Sequence, residues 1–278
     1  MTLNWFESLL YGLISGFTEF LPVSSEAHGI LLTRILGAED AGSALRLAVH
    51  LGALLALLLS CRPQLSSLRR ERRLAAMPAR RRKRQPDANA LMDIRLLKTA
   101  AFPLLLGFLA YPWVGRLGLR LWILGLALII NGILLYVPQF MPGANKDSRT
   151  LSRLDGLLIG LGGALAVMPG VSRLGATMSV SAMRGTERQY SLHTALMLCI
   201  PALALLVLID LAGVIASGFA GITAGGVFSI ITAGLASAVS AYFGILLMRF
   251  LMVKAGFSGL AYYSWGVALF AFILYLAI

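Results

Sequence analysis

Six uninterrupted apolar runs, at about 44–61, 96–114, 119–138, 190–214, 223–250 and 258–278, recur along this chain of 278 residues. Each is long enough to cross a hydrocarbon core of about 30 Å as a helix. With no water at that depth, a spanning helix must satisfy its backbone N–H and C=O groups within itself, so the runs predict an all-α polytopic membrane protein. The composition agrees. Hydrophobic residues make up 58% of the chain and charged residues 13%, against about 25% charged in a typical soluble domain. The first apolar stretch has no basic flank and carries Glu7 and Glu19, so it is not expected to be a cleaved signal peptide.

The formal charge of +12 is concentrated rather than spread, which argues against nucleic acid as a partner. Twelve Lys and Arg residues lie between Arg62 and Lys98, opposed by Glu71, Asp87 and Asp93. A basic loop over 62–95 between two apolar runs marks the cytoplasmic side and is suited to anionic membrane lipid. Walking outward from it, Lys146, Arg149, Arg153, Arg184, Arg188, Arg249 and Lys254 all return to that side.

Two further stretches, 5–37 and 151–183, are apolar but broken, one at Pro22-Val23-Ser24-Ser25 and the other at Pro169-Gly170-Val171-Ser172-Arg173. Proline removes a helical hydrogen bond and biases the preceding residue away from helix, so each stretch predicts two short helices around a bend. Irregular backbone at membrane depth is tolerated only inside protein or a wet cavity, so both read as re-entrant helical hairpins. Counting crossings, they enter from opposite faces and each is followed by three spans. Gly12-Leu13 precedes Pro22 at nearly the interval by which Gly160-Leu161 precedes Pro169. The expectation is one integral domain over 1–278 made of an inverted-topology repeat, 1–145 and 146–278.

Ionisable groups in a membrane segment are costly and point to function. In the broken stretches these are Glu19, Glu26, His28 and Arg173, among the hydroxyls of Thr18, Ser24, Ser25, Ser172 and Thr177. Two helix N-termini facing each other make an anion trap, and Gly170 and Gly175 let an oxyanion approach the backbone. Arg173 offers a fork suited to phosphate or, alternatively, a structural ion pair with Glu19 or Glu26. Ser25 and His28, three residues apart, share a helix face. His50 reads as a packing or hydrogen-bonding residue, Asp210 as water-exposed at the outer end of its span, Asn131 as a bridge between helices, and Cys61 and Cys199 as packing.

Thr18-Glu19-Phe20-Leu21-Pro22-Val23-Ser24-Ser25 with His28, and Pro169-Gly170-Val171-Ser172-Arg173 with Gly175-Ala176-Thr177, resemble the two signatures of undecaprenyl pyrophosphate phosphatases. The order of apolar segments and the basic loop also suit that family. The resemblance implies a bacterial plasma-membrane hydrolase that recycles the lipid carrier of peptidoglycan synthesis and confers bacitracin resistance. Its substrate would be a polyprenyl diphosphate. By the same resemblance Ser25 attacks or positions the terminal phosphate, His28 assists proton transfer, Glu19 orients a divalent cation such as Mg2+ or Ca2+ or a water, and Arg173 clamps phosphate. Ser24, Gly170, Ser172, Gly175 and Thr177 would bind it.

The chain departs from that pattern at three places. Ser15 stands where a second acidic or amide residue is usual, Gly163 replaces a Gln, and Leu174 replaces a Ser. Glu26 is then the candidate to restore the missing carboxylate as a second metal ligand. A transporter or flippase of polyprenyl monophosphate is the alternative on the same scaffold, and a lipid-binding protein without turnover is a third reading. Small residues over 212–244, among them Gly213, Gly218, Gly221, Gly225, Gly226 and Gly234, permit close helix packing and leave a homodimer open.

Overall fold

A computed structural model describes residues 3–141, 146–147, 149–218, 224–254 and 257–277. Asn145, the expected end of the first repeat, and Gly221 of the glycine series lie outside the described residues. The helices run in the order α1 (Trp5–Glu19), α2 (Ser25–Ile35), α3 (Ser43–Ser60), α4 (Arg62–Ala76), α5 (Ala88–Phe108) and the one-turn α6 (Tyr111–Val114). They continue as α7 (Leu121–Tyr136), α8 (Arg153–Ala164), α9 (Arg173–Met183), α10 (Arg188–Ala216), α11 (Ala224–Lys254) and α12 (Leu260–Ala277).

Both broken stretches fold as two helices, and in each the chain doubles back. Asn4 opens α1 with a capping box, its side chain taking the N–H of Phe6 and Glu7 while Glu7 returns a bond to the Asn4 N–H at 2.8 Å. After the break at Pro22, Gly29 of α2 faces Tyr11 and Ser15 of α1. Ser152 and Asp155 form the matching box on α8. After the break at Pro169, Gly162 of α8 faces Val180 of α9, and Gly163 faces Thr177.

Among the described residues five helices are long and apolar enough to cross a membrane: Ser43–Ser60, Leu121–Phe140, Arg188–Ala216, Gly225–Lys254 and Leu260–Ala277. The crossing expected at 96–114 is not a single straight helix. Ala88–Phe108 and Tyr111–Leu119 meet at 43° and make a sixth span only as a bent pair. Pro112 cannot donate to the preceding turn, which accounts for the bend. The helix also starts earlier than expected, at Ala88, because Asp87 caps it by accepting from the Asn89 N–H at 2.9 Å.

The basic segment 62–95 is in part ordered helix, and buried Glu71 on α4 organises it. Its carboxylate accepts from Arg84, from the Asp87 N–H at 3.0 Å and from Arg70 at 3.2 Å. These donors, Arg84 foremost, hold its pKa down at about 2.

α1 and α3 both pack on α11, α8 and α10 both pack on α5, α3 lies against α10 and α7 against α12. Glycine makes several of these crossings possible. A Cβ at Gly12 would lie 2.3 Å from the Ala233 carbonyl oxygen on α11, and one at Gly160 would lie 2.0 Å from that of Ala100 on α5. The largest buried cluster gathers Phe20, Leu57, Leu135, Leu174, Met178 and Leu203 around the two breaks. Large apolar side chains such as Phe102, Leu126, Leu235, Phe243 and Leu269 face outward. An apolar exterior over spans of this length is that of a multi-pass membrane protein.

Candidate functional site

Each break contains a residue with positive φ, Ser24 at 67° and Gly170 at 108°, which turns the chain sharply into the helix that follows. Ser24 caps α2 and also reaches across, its Oγ accepting from the Gly170 N–H at 3.1 Å. Ser172 caps α9 by accepting from the Gly175 N–H at 3.1 Å and donates its own hydroxyl to the Leu21 carbonyl at 3.2 Å. Asn131 of α7 ties both breaks together, accepting from the Ser172 N–H at 2.8 Å and donating to the Pro22 carbonyl at 3.0 Å. Its amide also donates to Ser264 of α12 at 2.9 Å, so it is the helix bridge the sequence suggested. Ser24 is therefore bonded to Gly170 and Ser172 to Gly175, with Asn131 and the Leu21 carbonyl linking the breaks. Their joint effect is to hold the N-termini of α2 and α9 side by side, where both present positive potential.

On that frame stand three buried groups. Glu19, at the end of α1, accepts the Ser25 hydroxyl proton on Oε2 and an Arg173 Nη2 hydrogen on Oε1, the latter at 2.7 Å. Arg173 also lies over the Phe108 ring, 5.3 Å from its centroid. Its second terminal nitrogen, Nη1, is buried with no hydrogen-bond partner among the described residues. A buried guanidinium hydrogen left unpaired is expensive, and an incoming oxyanion is the partner that would satisfy it. Thr177 turns its hydroxyl back onto the Arg173 carbonyl at 2.8 Å, which fixes the first turn of α9. Ser15, in place of the expected carboxylate or amide, has a buried hydroxyl with no hydrogen-bond partner among the described residues.

His28 is not brought to this group. Its Nδ1 donates to the Ser24 carbonyl at 2.8 Å, which leaves Nε2 to accept from the Tyr263 hydroxyl, also at 2.8 Å. The two rings lie parallel, 5.7 Å apart, beside an apolar groove of about 470 Å³ lined by Leu31, Val267 and Phe270. Glu26 does not join Glu19 either. It accepts from Tyr111 at 2.9 Å and lies 3.6 Å from His50. Among the described residues no three His, Cys, Asp or Glu side chains come together as a metal cage. Mg2+ commonly uses one or two carboxylates and completes its shell with water and substrate phosphate. Glu19 is the carboxylate of this cluster, and its two oxygens already meet Ser25 and Arg173.

A second polar network joins Asp40, Arg46 and Tyr111, which the sequence did not single out, to Glu26, to Asp210 and to His50, which was read as a packing or hydrogen-bonding residue. His50 Nδ1 bonds Asp210 at 2.7 Å, Arg46 lies 3.3 Å from the same carboxylate, and Arg46 also pairs with Asp40 at 2.6 Å. Asp210, expected to meet water, is only 2% exposed. Tyr111 joins through Glu26. The rule that singled out Glu19 applies equally to Arg46, His50 and Asp210, all ionisable groups within apolar helices. Tyr11, Glu26, Asp40, Arg46, Tyr111 and Asp210 border a cavity of about 680 Å³ between α2, α3, α10 and the segment 111–119, and His50 lies behind that wall.

The family model of the bacitracin resistance protein BacA matches residues 8–270. The chain is 34% identical over 202 residues to an undecaprenyl-diphosphatase of Micrococcus luteus, covering 72% of each chain. It is 32% identical over 203 residues to an undecaprenyl-diphosphatase of a Nocardioides species, again covering 72% of each. A third undecaprenyl-diphosphatase, from Carboxydothermus hydrogenoformans, is 26% identical over 263 residues, 95% of this chain and 94% of that one.

Proposed function

The chain belongs to the family of the bacitracin resistance protein BacA, and on that footing we propose a division of labour for its buried cluster. The reaction is hydrolysis of undecaprenyl diphosphate to the monophosphate and inorganic phosphate. The observation that carries the assignment of roles is Glu19 shared between Ser25 and Arg173, with Arg173 Nη1 left unpartnered.

Arg173 holds one oxygen of Glu19 and leaves the other for the serine proton. Ser25 Oγ attacks the terminal phosphorus as its proton passes to Glu19. The bond from phosphorus to the bridging oxygen breaks, its electron pair leaving on undecaprenyl monophosphate, and a phosphoserine remains for water to hydrolyse. The Arg173 Nη1 hydrogens and the paired N-termini of α2 and α9 meet the phosphoryl oxygens, where charge must be stabilised. A divalent cation such as Mg2+ or Ca2+ would be held by Glu19 together with the diphosphate and would neutralise phosphate charge. Glu19 takes the proton-transfer role that the resemblance suggested for His28, whose ring nitrogens are engaged elsewhere.

The scaffold of the proposal is an inverted repeat in a bacterial plasma membrane, with α1–α2 and α8–α9 as re-entrant hairpins from opposite faces. The exchange of packing partners supports it: α1 crosses α11 as α8 crosses α5, and Gly12 and Gly160 hold corresponding positions at the two crossings. Opposed hairpins also describe carriers, but a hydroxyl bonded to a carboxylate beside an unpaired guanidinium suits bond-making rather than passage. The test is phosphate release by purified protein in detergent, where a carrier has no two sides. The wild type is expected to turn over, and Glu19→Gln to lose about 10²- to 10⁴-fold in kcat. Wild-type rates in Glu19→Gln would remove it as the base.

A further inference from the structure

The first half of the proposed reaction uses Glu19, Ser25 and Arg173. The second half needs a water and a base for its proton, and Glu19 by then carries the serine proton while His28 points to Tyr263. The unassigned network around Glu26 has the missing parts. Glu26 directly follows Ser25 in the first turn of α2, and its side chain is 18% exposed to the cavity it lines. Its position is fixed from two sides, by the Tyr111 hydroxyl at 2.9 Å and by His50 Nε2 at 3.6 Å. His50 is fixed in turn by Asp210 at 2.7 Å, and Asp210 by Arg46 at 3.3 Å. The residues come from α2, α3, α10 and the α6 turn, so no local sequence requirement explains the alignment. A cavity of about 680 Å³ bordered by Glu26, Tyr111, Arg46 and Asp210 has room for many waters.

A structural purpose alone accounts poorly for the arrangement. Several buried charges inside a membrane bundle are costly, and an apolar replacement of similar volume is often no less stable than a buried ion pair.

We propose that Glu26 is the base of the hydrolytic half-reaction, and that His50 and Asp210 position it. This rests on the reading of Ser25 as the nucleophile. A cavity water attacks the phosphorus of phosphoserine 25 and gives one proton to the Glu26 carboxylate. The phosphorus–Oγ bond breaks, and its electron pair returns to Ser25 Oγ, which takes back the proton held by Glu19. Inorganic phosphate departs toward the cavity, and the Glu26 proton follows to solvent. Glu26 is the catalytic group. His50 and Asp210 do not touch the reacting atoms.

The experiment follows both products, undecaprenyl monophosphate and inorganic phosphate, in a single mixing of purified protein with excess substrate, and measures the intact protein's mass. For Glu26→Gln the expected result is one equivalent of monophosphate per protein formed at close to the wild-type rate. Phosphate release should then be slower by about 10²-fold or more, with one phosphoryl group on the protein. That first equivalent also certifies that the variant is folded. His50→Gln and Asp210→Asn should show the same accumulation with a smaller slowing, and Glu26→Asp should restore part of the release. Equal, wild-type release of both products from Glu26→Gln would overturn the proposal, as would loss of both with no phosphoprotein. Ser25→Ala separates the two readings. If it still turns over, the nucleophile assignment fails and the proposal with it. If it forms neither product while Glu26→Gln accumulates no phosphoprotein, only the role of Glu26 fails.

Discussion

The two breaks in the helical bundle make the same turn with different residues. At the first, a serine adopts φ of 67° and uses its side chain to bond the second break; at the second, glycine adopts φ of 108° and offers only its backbone. The difference follows from space. A Cβ at Gly170 would lie 2.5 Å from the Ala127 Cβ and 3.0 Å from the Leu124 carbonyl oxygen, so α7 closes that position to any side chain. At Ser24 the side chain is what joins the two breaks. The first break then supplies the carboxylate and hydroxyl, the second supplies the guanidinium, and neither makes the hydrogen-bonded cluster without the other.

The largest effect should come from giving both breaks a side chain. Gly170→Ala adds a clash to an unfavourable backbone conformation and is expected to cost about 4 kcal/mol, seen as a large fall in thermal stability together with loss of turnover. Next is the residue that spans them. Asn131→Ala leaves the Pro22 carbonyl and the Ser172 N–H without their partner, a loss of about 3 kcal/mol in the same assay. Asn131→Asp, which keeps the acceptor for Ser172, should cost less than Asn131→Ala.

Ser24 sharpens the comparison further. Ser24→Ala keeps the positive φ and loses the bond to Gly170, for about 2 kcal/mol, whereas Ser24→Gly loses the bond but relieves about 1 kcal/mol of backbone strain. Glycine should therefore be the milder substitution at 24 by thermal unfolding. If alanine is tolerated better, strain at this break is not what distinguishes it.

The smallest effect lies outside both breaks. Glu71, with its pKa held at about 2 against an ordinary value near 4.3, contributes stability that is present above the ordinary value and lost as pH falls toward 2. Wild type and Glu71→Gln should differ in melting temperature at pH 7 and converge as pH falls below 3. A difference that persists at low pH would mean that Glu71 acts through its shape rather than its charge.

Much of this could be read from the chain because it is local. Proline in an apolar run fixes where helices stop, and the ionisable residues left inside the broken stretches, Glu19 and Arg173, proved to be partners. The pairing of Gly12 with Gly160 was visible as a repeated dipeptide, and each occupies a tight crossing. What could not be read depended on tertiary packing. Ser25 and His28 share a helical face by spacing, but the Ser24 carbonyl at the start of α2 takes the His28 Nδ1 hydrogen and the ring turns to Tyr263, 235 residues away in sequence. Glu26, His50 and Asp210 are joined only because α2, α3 and α10 converge, and no periodicity announces that. The bend at Tyr111, hidden in what reads as one apolar run, brings the Tyr111 hydroxyl to Glu26.

The central claim is that Ser25, Glu19 and Arg173 form one reactive site. It is tested most directly by measuring phosphate release from a polyprenyl diphosphate by the purified protein beside Ser25→Ala and Arg173→Ala. Both variants are expected to lose at least about 10³-fold in kcat/KM while remaining folded, since each removes a group required by the same transition state. Turnover in either variant within about tenfold of the wild type would contradict the account.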